Sequence, residues 1–387
     1  MTHNNDATAI RGCYLHYRDV TERNPRPTGI DKKVAGHIAA FNHAGLNCEF
    51  IQCAQPETLI PTVVSCLPFA NDGVNWPSAS RIEGLDFMYI RRPRFASREL
   101  VAFLRKVKQL NPSIRILYEV PTYPYDGEME SLHMRPAGRK DRMWRTHLHK
   151  YVSRIPYLAS EEHDTIFGCR GIRISNGIDL SNLQTRRAHA YGHDSLSIIS
   201  VAMFMPWHGI DRLISGLAAY RRAGGTRNIT VHLVGEGEAQ PQLTRQAKRA
   251  GVDDMIVFHG RMSIDEFDHL YDESDVAIEC LANYRKGIHQ SSSLKSREYL
   301  AKGIPFVYAG VIDTFVNDPV DFCLQVPERD EPLDMEKLIE FCDALYDHES
   351  PQALAGRMRA YAQEHVSMDA TMRPVIDYLL ETCNHDQ

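Results

Sequence analysis

Two hydrophobic patterns alternate along the chain. Short, nearly continuous apolar runs are followed by longer segments in which apolar residues recur at every third or fourth position. Cys13 to Val20 predicts a first strand, and Asn47 to Cys53 a second. Between them Ile30, Val34, Ile38 and Phe41 keep helical spacing, and Gly45 is placed to close the helix. Strand, glycine-containing loop, helix and strand open a Rossmann-like half. Residues 54–84 are poorly patterned and predict a loop with one short helix. A strand over 85–92 follows, then a helix over 97–110 with Leu100, Leu104, Val107 and Leu110 on one face, and a strand over 114–120. A basic helical stretch from Arg139 to Lys150, a short strand near Ile155 and a strand over 171–180 ending in Asn176-Gly177 complete the half. The polar stretch 181–195 reads as a linker.

The alternation then restarts. Residues 195–204 form a buried-strand run, and the following helix has Ile210, Leu213, Ile214 and Leu217 on its core face, with Gly224 and Gly225 at its end. Strands over 228–234, 253–262 and 275–281, a helix from Ile264 and three helices after Pro327 fill out a second doubly wound unit. The last helix can pack Met372, Val375, Ile376, Leu379 and Leu380. The fold class is α/β, with two Rossmann-like domains.

Composition narrows the function classes. Hydrophobic and charged contents of 43% and 24% are those of a globular protein. A net charge of -6 and pI near 6.3 argue against nucleic acid as the main partner. The opening MTHNNDATAIRG lacks a basic and apolar leader, so a cytoplasmic location is expected. No apolar run reaches the ~18 residues of a spanning helix. Nine scattered cysteines without a C-x-x-C pair read as free thiols. Asp253 and Asp254 are adjacent rather than spaced as D-x-D, so no metal site is expected.

Most of the candidate chemistry lies in KGIHQSSSLKSREYLAKGIPFVYAG, residues 286–310. Ser291, Ser292 and Ser293 are good N-cap residues for the helix LKSREYLAK, which Gly303 and Pro305 end. Free amides at such a helix start suit a phosphate. Lys295 and Glu298, three residues apart, project from one side and can serve phosphate and ribose hydroxyls. The plain alternative is an amphipathic helix with a solvated ion pair. Elsewhere, Gly29 before the first helix and Gly209 before a later one would let a ligand approach the backbone. Lys33 stands in the first turn after Gly29. Arg91 and the PTYPYDGE loop after Glu119, with Tyr123 and Tyr125, lie at strand ends where α/β sheets bind ligands. Packing by the tyrosines is the competing reading. The basic stretch after Arg139 is either a solvated face or a peripheral contact with an anionic membrane. Gly235-Glu236-Gly237 is a poor dinucleotide fingerprint, because the third glycine is missing.

The segment ending in Glu298, Gly303 and Pro305 resembles the signature of retaining GT-B glycosyltransferases of family 4. Its Ser-Leu-Lys-x-x-Glu-Tyr-Leu-Ala form, the Trp-His-Gly-x-Asp-Arg-Leu-Ile run at 207–214, the loop after Glu119 and Asn176-Gly177 are similar to the subgroup that builds capsular and exopolysaccharides. The resemblance implies a GT-B fold, two domains facing across a cleft, with an acceptor domain over 1–182, a donor domain over 183–365 and a terminal helix over 366–387 crossing back. It implies that a nucleotide-diphosphate sugar is the co-substrate, with no other cofactor, and that a saccharide or lipid-linked saccharide is the acceptor. His208, Lys295 and Gln290 then act in catalysis. Gly209, Arg212, Ser292, Ser293, Glu298, His289, Arg261 and Met262 hold the donor, the last two against the base. Gly29, Lys33, Arg91, Glu119, Tyr123 and Tyr125 face the acceptor. Three features depart from the family: His208 stands where a lysine is common, Gln290 where a glutamate is common, and the arginine common a few residues upstream of His208 is absent from VAMFMP. A sugar-nucleotide epimerase and a non-catalytic nucleotide- or sugar-binding protein are the rival classes.

Overall fold

The computed structural model describes residues 10–21, 28–55 and 59–384. Part of the loop expected after the first strand, residues 22–27, lies outside the described residues, as do 1–9, 56–58 and 385–387. The chain divides into two compact units, one of residues 1–177 with 368–387, the other of residues 178–367.

The first unit is built from β1 (Arg11–His16), α1 (Gly29–His43), β2 (Asn47–Gln52), α2 (Leu59–Ser65), β3 (Phe87–Arg91), α3 (Arg98–Leu110), β4 (Arg115–Glu119), α4 (Arg135–Arg145), β5 (Ile155–Tyr157), β6 (Thr165–Ile166) and β7 (Cys169–Arg173). Its main sheet is parallel, in the order β2-β1-β3-β4. The ladder continues to β5 through bridges from Leu117 to Arg154 and from Val120 to Tyr157. Thr28 starts α1 with a capping box to Asp31, which satisfies amides that the helix itself leaves free. In α3 the core face is Leu100, Val101, Phe103, Leu104 and Val107. Leu110, expected on that face, is exposed, because the helix ends there and Asn111 turns back to cap carbonyls near Leu85.

The second unit runs through β8 (Ser195–Val201), α5 (Ile210–Arg222), β9 (Asn228–Val234), α6 (Gln240–Ala250), β10 (Ile256–Gly260), α7 (Ile264–Asp272), β11 (Val276–Ile278), β12 (Gln290–Ser291), α8 (Leu294–Lys302), β13 (Phe306–Ala309), β14 (Val311–Ile312), β15 (Cys323–Val326), α9 (Met335–His348) and α10 (Pro351–His365). The sheet order is β10-β9-β8-β11-β13-β15, all parallel. This is the doubly wound order whose direction reverses between β8 and β11, the place where such sheets bind ligands beyond their carboxyl ends. Ile210, Leu213, Ile214 and Leu217 are buried in the core, as their spacing predicts.

The stretch expected as a linker is instead strapped to this unit. Arg186 is buried, and its guanidinium donates to the carbonyls of Gly303 and Ser274 and to the Tyr346 hydroxyl. Tyr191 and Arg227 both donate to Asp343 on α9. The last helix, α11 (Met368–Asn384), belongs to the first unit and buries Met372, Val375, Ile376 and Leu379.

Packing in the second unit yields a stability prediction. A Cβ on Gly216 of α5 would lie 2.2 Å from the Leu333 carbonyl, whereas one on Gly356 of α10 would meet nothing within 4 Å. Gly216→Ala is therefore expected to cost about 1–3 kcal/mol, and Gly356→Ala to stabilise by about 0.5–1 kcal/mol. Chemical denaturation of both variants checks the contrast; equal effects would contradict the packing described here.

Candidate functional site

At the switch point of the second unit, β8 leads into a loop that ends in a helical turn, Pro206 to His208, before α5. Gly209 joins them at φ +70°, a left-handed conformation that suits glycine. A Cβ there would lie 2.7 Å from the Leu281 side chain. Only glycine therefore fits between the start of α5 and the loop after β11. The buried Arg212 guanidinium donates to the carbonyls of Leu281, Glu331 (2.8 Å) and Pro327 (3.1 Å), so it ties three loops together and is turned away from solvent.

His208 does face the switch point. The Met205 amide donates to its Nδ1 at 3.2 Å, so the neutral ring carries its proton on Nε2 and offers a donor. Burial, reinforced by positive Lys295 and Lys286, lowers its pKa to about 3, which keeps the ring neutral at physiological pH. Lys286 itself lies 4.3 Å over the Trp207 ring.

On the other side of the switch point, Ser293 caps α8 by accepting from the Ser296 amide at 3.1 Å. The Tyr299 hydroxyl accepts from the Val201 amide and donates to the Ile278 carbonyl, seating α8 against the ends of β8 and β11. Lys295 reaches the Glu279 carbonyl with Nζ. Tyr271 donates to Glu298 at 2.9 Å. Ser292 accepts from Arg297, whose buried guanidinium pairs with Asp313. Gln290 sits in the two-residue β12 opposite Val311, and His289 pairs with Glu328 at 2.9 Å. Arg261 is exposed and Met262 half-buried in the turn after β10.

Glu279 was not singled out from the sequence. It directly follows β11, is buried, and accepts from the Ser293 hydroxyl while its backbone carbonyl holds Lys295. A carboxylate in the otherwise apolar run Val276 to Leu281 was the available signal. Among the described residues no group of three or more His, Cys, Asp and Glu is arranged to hold a metal ion.

The acceptor candidates of the first unit separate into buried and open positions. Arg91 and Glu119 are opposite one another on β3 and β4 and form a buried ion pair. The Tyr14 hydroxyl donates to the second Glu119 oxygen at 2.9 Å. Lys33 is buried and donates to Asn176 at 2.7 Å. Tyr125 is buried, donates to Asp141 at 2.8 Å and lies 3.8 Å beneath the Arg92 guanidinium. These four are buried and each is paired within the first unit in this structure. Gly29 is exposed, with open space around it. Tyr123 is half-buried against Tyr157 and His163, which line a polar recess of about 540 Å³. None of the residues singled out from the sequence lines that recess.

Residues 195–343 match the family model described as glycosyl transferases group 1. The matched span, less than half of the chain, is similar to group 1 glycosyl transferases. It contains the whole switch-point site, from His208 to Glu298. Solved structures extend the likeness to the entire chain and show that the fold is GT-B. HepE from Anabaena, in complex with UDP, is 14% identical with a TM-score of 0.56, covering 96% of this chain and 100% of that one. A glycosyltransferase from Rickettsia africae is 10% identical with a TM-score of 0.57, covering 97% and 99%. Sucrose-phosphate synthase from Thermosynechococcus elongatus is 13% identical with a TM-score of 0.57, covering 96% and 99%. No curated protein matches the sequence.

The buried cluster of the first unit makes stability depend on pH. Burial lowers the His37 pKa to about 3, below the unfolded value of roughly 6.5. Burial alone would raise the Glu119 carboxyl, but Arg91, His37, Lys33 and the Tyr14 hydroxyl hold it at about 2. Both folded values are depressed, so stability is lost as pH falls: first below about 6.5 through His37, then below about 4.5 through Glu119. His37→Gln is expected to shrink the loss of unfolding free energy between pH 7 and pH 5; an unchanged loss would contradict the assignment. Arg91→Ala leaves a buried carboxylate unpaired and is expected to cost about 3–5 kcal/mol.

Proposed function

We propose that the protein is a retaining glycosyltransferase of family 4 that moves a sugar from a nucleotide-diphosphate donor to a saccharide or lipid-linked saccharide, in the synthesis of cell-surface polysaccharide in the cytoplasm. The observation that carries this reading is the convergence at one switch point of a neutral His208, Lys295 and the capped start of α8. A cation, a donor and the positive end of a helix dipole together suit a diphosphate. Glu298, which accepts from Tyr271, is the residue we assign to the ribose hydroxyls. The fold relative HepE has been crystallised with UDP, with UDP and glucose and with UDP-glucose, which makes uracil nucleotides the first donors to try.

In this reading the protein supplies no nucleophile. The acceptor hydroxyl attacks the anomeric carbon from the face that the leaving diphosphate occupies, and a phosphate oxygen takes its proton. Catalysis then consists of positioning the two substrates and stabilising charge on the leaving group, for which His208 and Lys295 are the assigned residues. Gln290 accepts and donates hydrogen bonds but carries no negative charge to offset the developing positive charge at the sugar. Gln290 also favours a second reading, a non-catalytic nucleotide-sugar binder.

Calorimetric titration with UDP, GDP and ADP and with their hexose conjugates tests the donor assignment, and release of diphosphate with a pool of saccharide acceptors tests catalysis. One diphosphate is expected to bind, with affinity kept in its sugar conjugate. Lys295→Ala and Glu298→Ala are each expected to weaken that binding by about 10-fold or more, the loss of one charge-assisted contact. Unchanged affinity in both variants would contradict the site. Binding without turnover would favour the second reading.

A further inference from the structure

Helix α2 and the turn after it are inside out. Thr62, Ser65 and Cys66 face the interior, while Ile60, Val63, Val64 and Leu67 are exposed. Their spacing of three, four and seven places them on one helical face. Phe69, just beyond the helix, is 90% exposed and Ile60 is 75% exposed. A soluble surface seldom gathers large apolar side chains in this way without a use for them. The arrangement is held firmly: the buried Lys140 ammonium donates to the carbonyls of Ser65 (2.8 Å) and Ala70 (2.7 Å).

Lys140 belongs to α4, so the apolar segment adjoins a basic helix. Arg135, Arg139 and Arg142 are exposed along one side of α4, with exposed Leu132 and Met143 beside them. Asp126 lies 3.6 Å from Arg142 and pairs more closely with Arg145, and Glu128 pairs with Arg92. Among the described residues, Arg135 donates to the Glu130 carbonyl alone and Arg139 has no partner. A local excess of arginine is thus set beside exposed apolar groups in a chain whose net charge is -6. Apolar tips that can enter the acyl boundary, next to cations that can meet anionic headgroups, form the pattern of an interfacial docking surface. Among the described residues no helix is long and apolar enough to cross a membrane.

We propose that α2, the turn to Phe69 and the arginine side of α4 form a surface that docks on an anionic lipid bilayer. The proposal does not depend on the identity of the donor, and its test requires no transferase activity. The full chain is sedimented with vesicles of phosphatidylcholine alone and of phosphatidylcholine with phosphatidylglycerol, at low and high salt. It is expected to bind the anionic vesicles, and salt is expected to weaken that binding. Replacing Val64 and Phe69 together by serine should reduce vesicle binding by about 10-fold or more, with an unchanged melting temperature because both side chains are exposed. Arg135→Gln with Arg139→Gln should weaken binding and flatten its salt dependence. Absence of binding to anionic vesicles would overturn the proposal, as would equal binding to neutral ones. Dimerisation in sedimentation velocity that the Phe69→Ser change abolishes would assign the face to a second copy of the chain and likewise overturn it.

Discussion

The candidate site depends on how two diverging loops are held at the carboxyl end of one parallel sheet. Where the strand order reverses between β8 and β11, the chain leaves the sheet in opposite directions and opens a crevice. The loops bounding it carry backbone polar groups that must be satisfied without closing the opening. Two residues accomplish most of this. Gly209 lets the α5 start come against Leu281, and Arg212 gathers the carbonyls of Leu281, Pro327 and Glu331. In the proposed reading, the contacts to a ligand fall to His208, Lys295 and the amides at the head of α8.

The first unit shows the opposite use of polar groups. Tyr14, His37, Arg91 and Glu119 are buried together, and the carboxylate uses both oxygens within the cluster. Removing one member of such a group exposes the full desolvation cost of the others. Among the described residues, Nε2 of His37 and both ring nitrogens of the nearby buried His16 have no hydrogen-bond partner. The cluster fixes the ends of β1, β3 and β4 against α1 and stores sensitivity to acid, so these charged residues set the frame of the sheet edge.

Much of the fold was legible because its elements follow simple periods. The core face of α5, the Ser293 cap and the Gly303 stop of α8, and the apolar seam of α11 could all be read from spacing and capping chemistry. The site was less legible, for a physical reason: residue type reports what a side chain can do, not which partner has already claimed it. Arg212 and Glu119 read as ligand contacts because they are charged residues near strand ends; in the structure their partners are a carbonyl trio and an arginine, respectively. Glu279 escaped notice because its importance arises from proximity to Ser293 and Lys295, fourteen and sixteen residues away in sequence. The polar stretch 181–195 read as a linker because nothing in its composition shows that Arg186 is anchored by carbonyls of Gly303 and Ser274.

The central claim is that the β8–β11 switch point, with the start of α8, holds a nucleoside diphosphate. Amide hydrogen exchange of the full chain, with and without UDP, GDP and ADP in turn, tests it most directly, because exchange reports local opening at each backbone amide. The account predicts that one of the three slows exchange in residues 203–212 and 289–297, leaving α2 and α4 unchanged. A diphosphate that binds saturably yet protects only other segments, or no protection from any of the three, would contradict it.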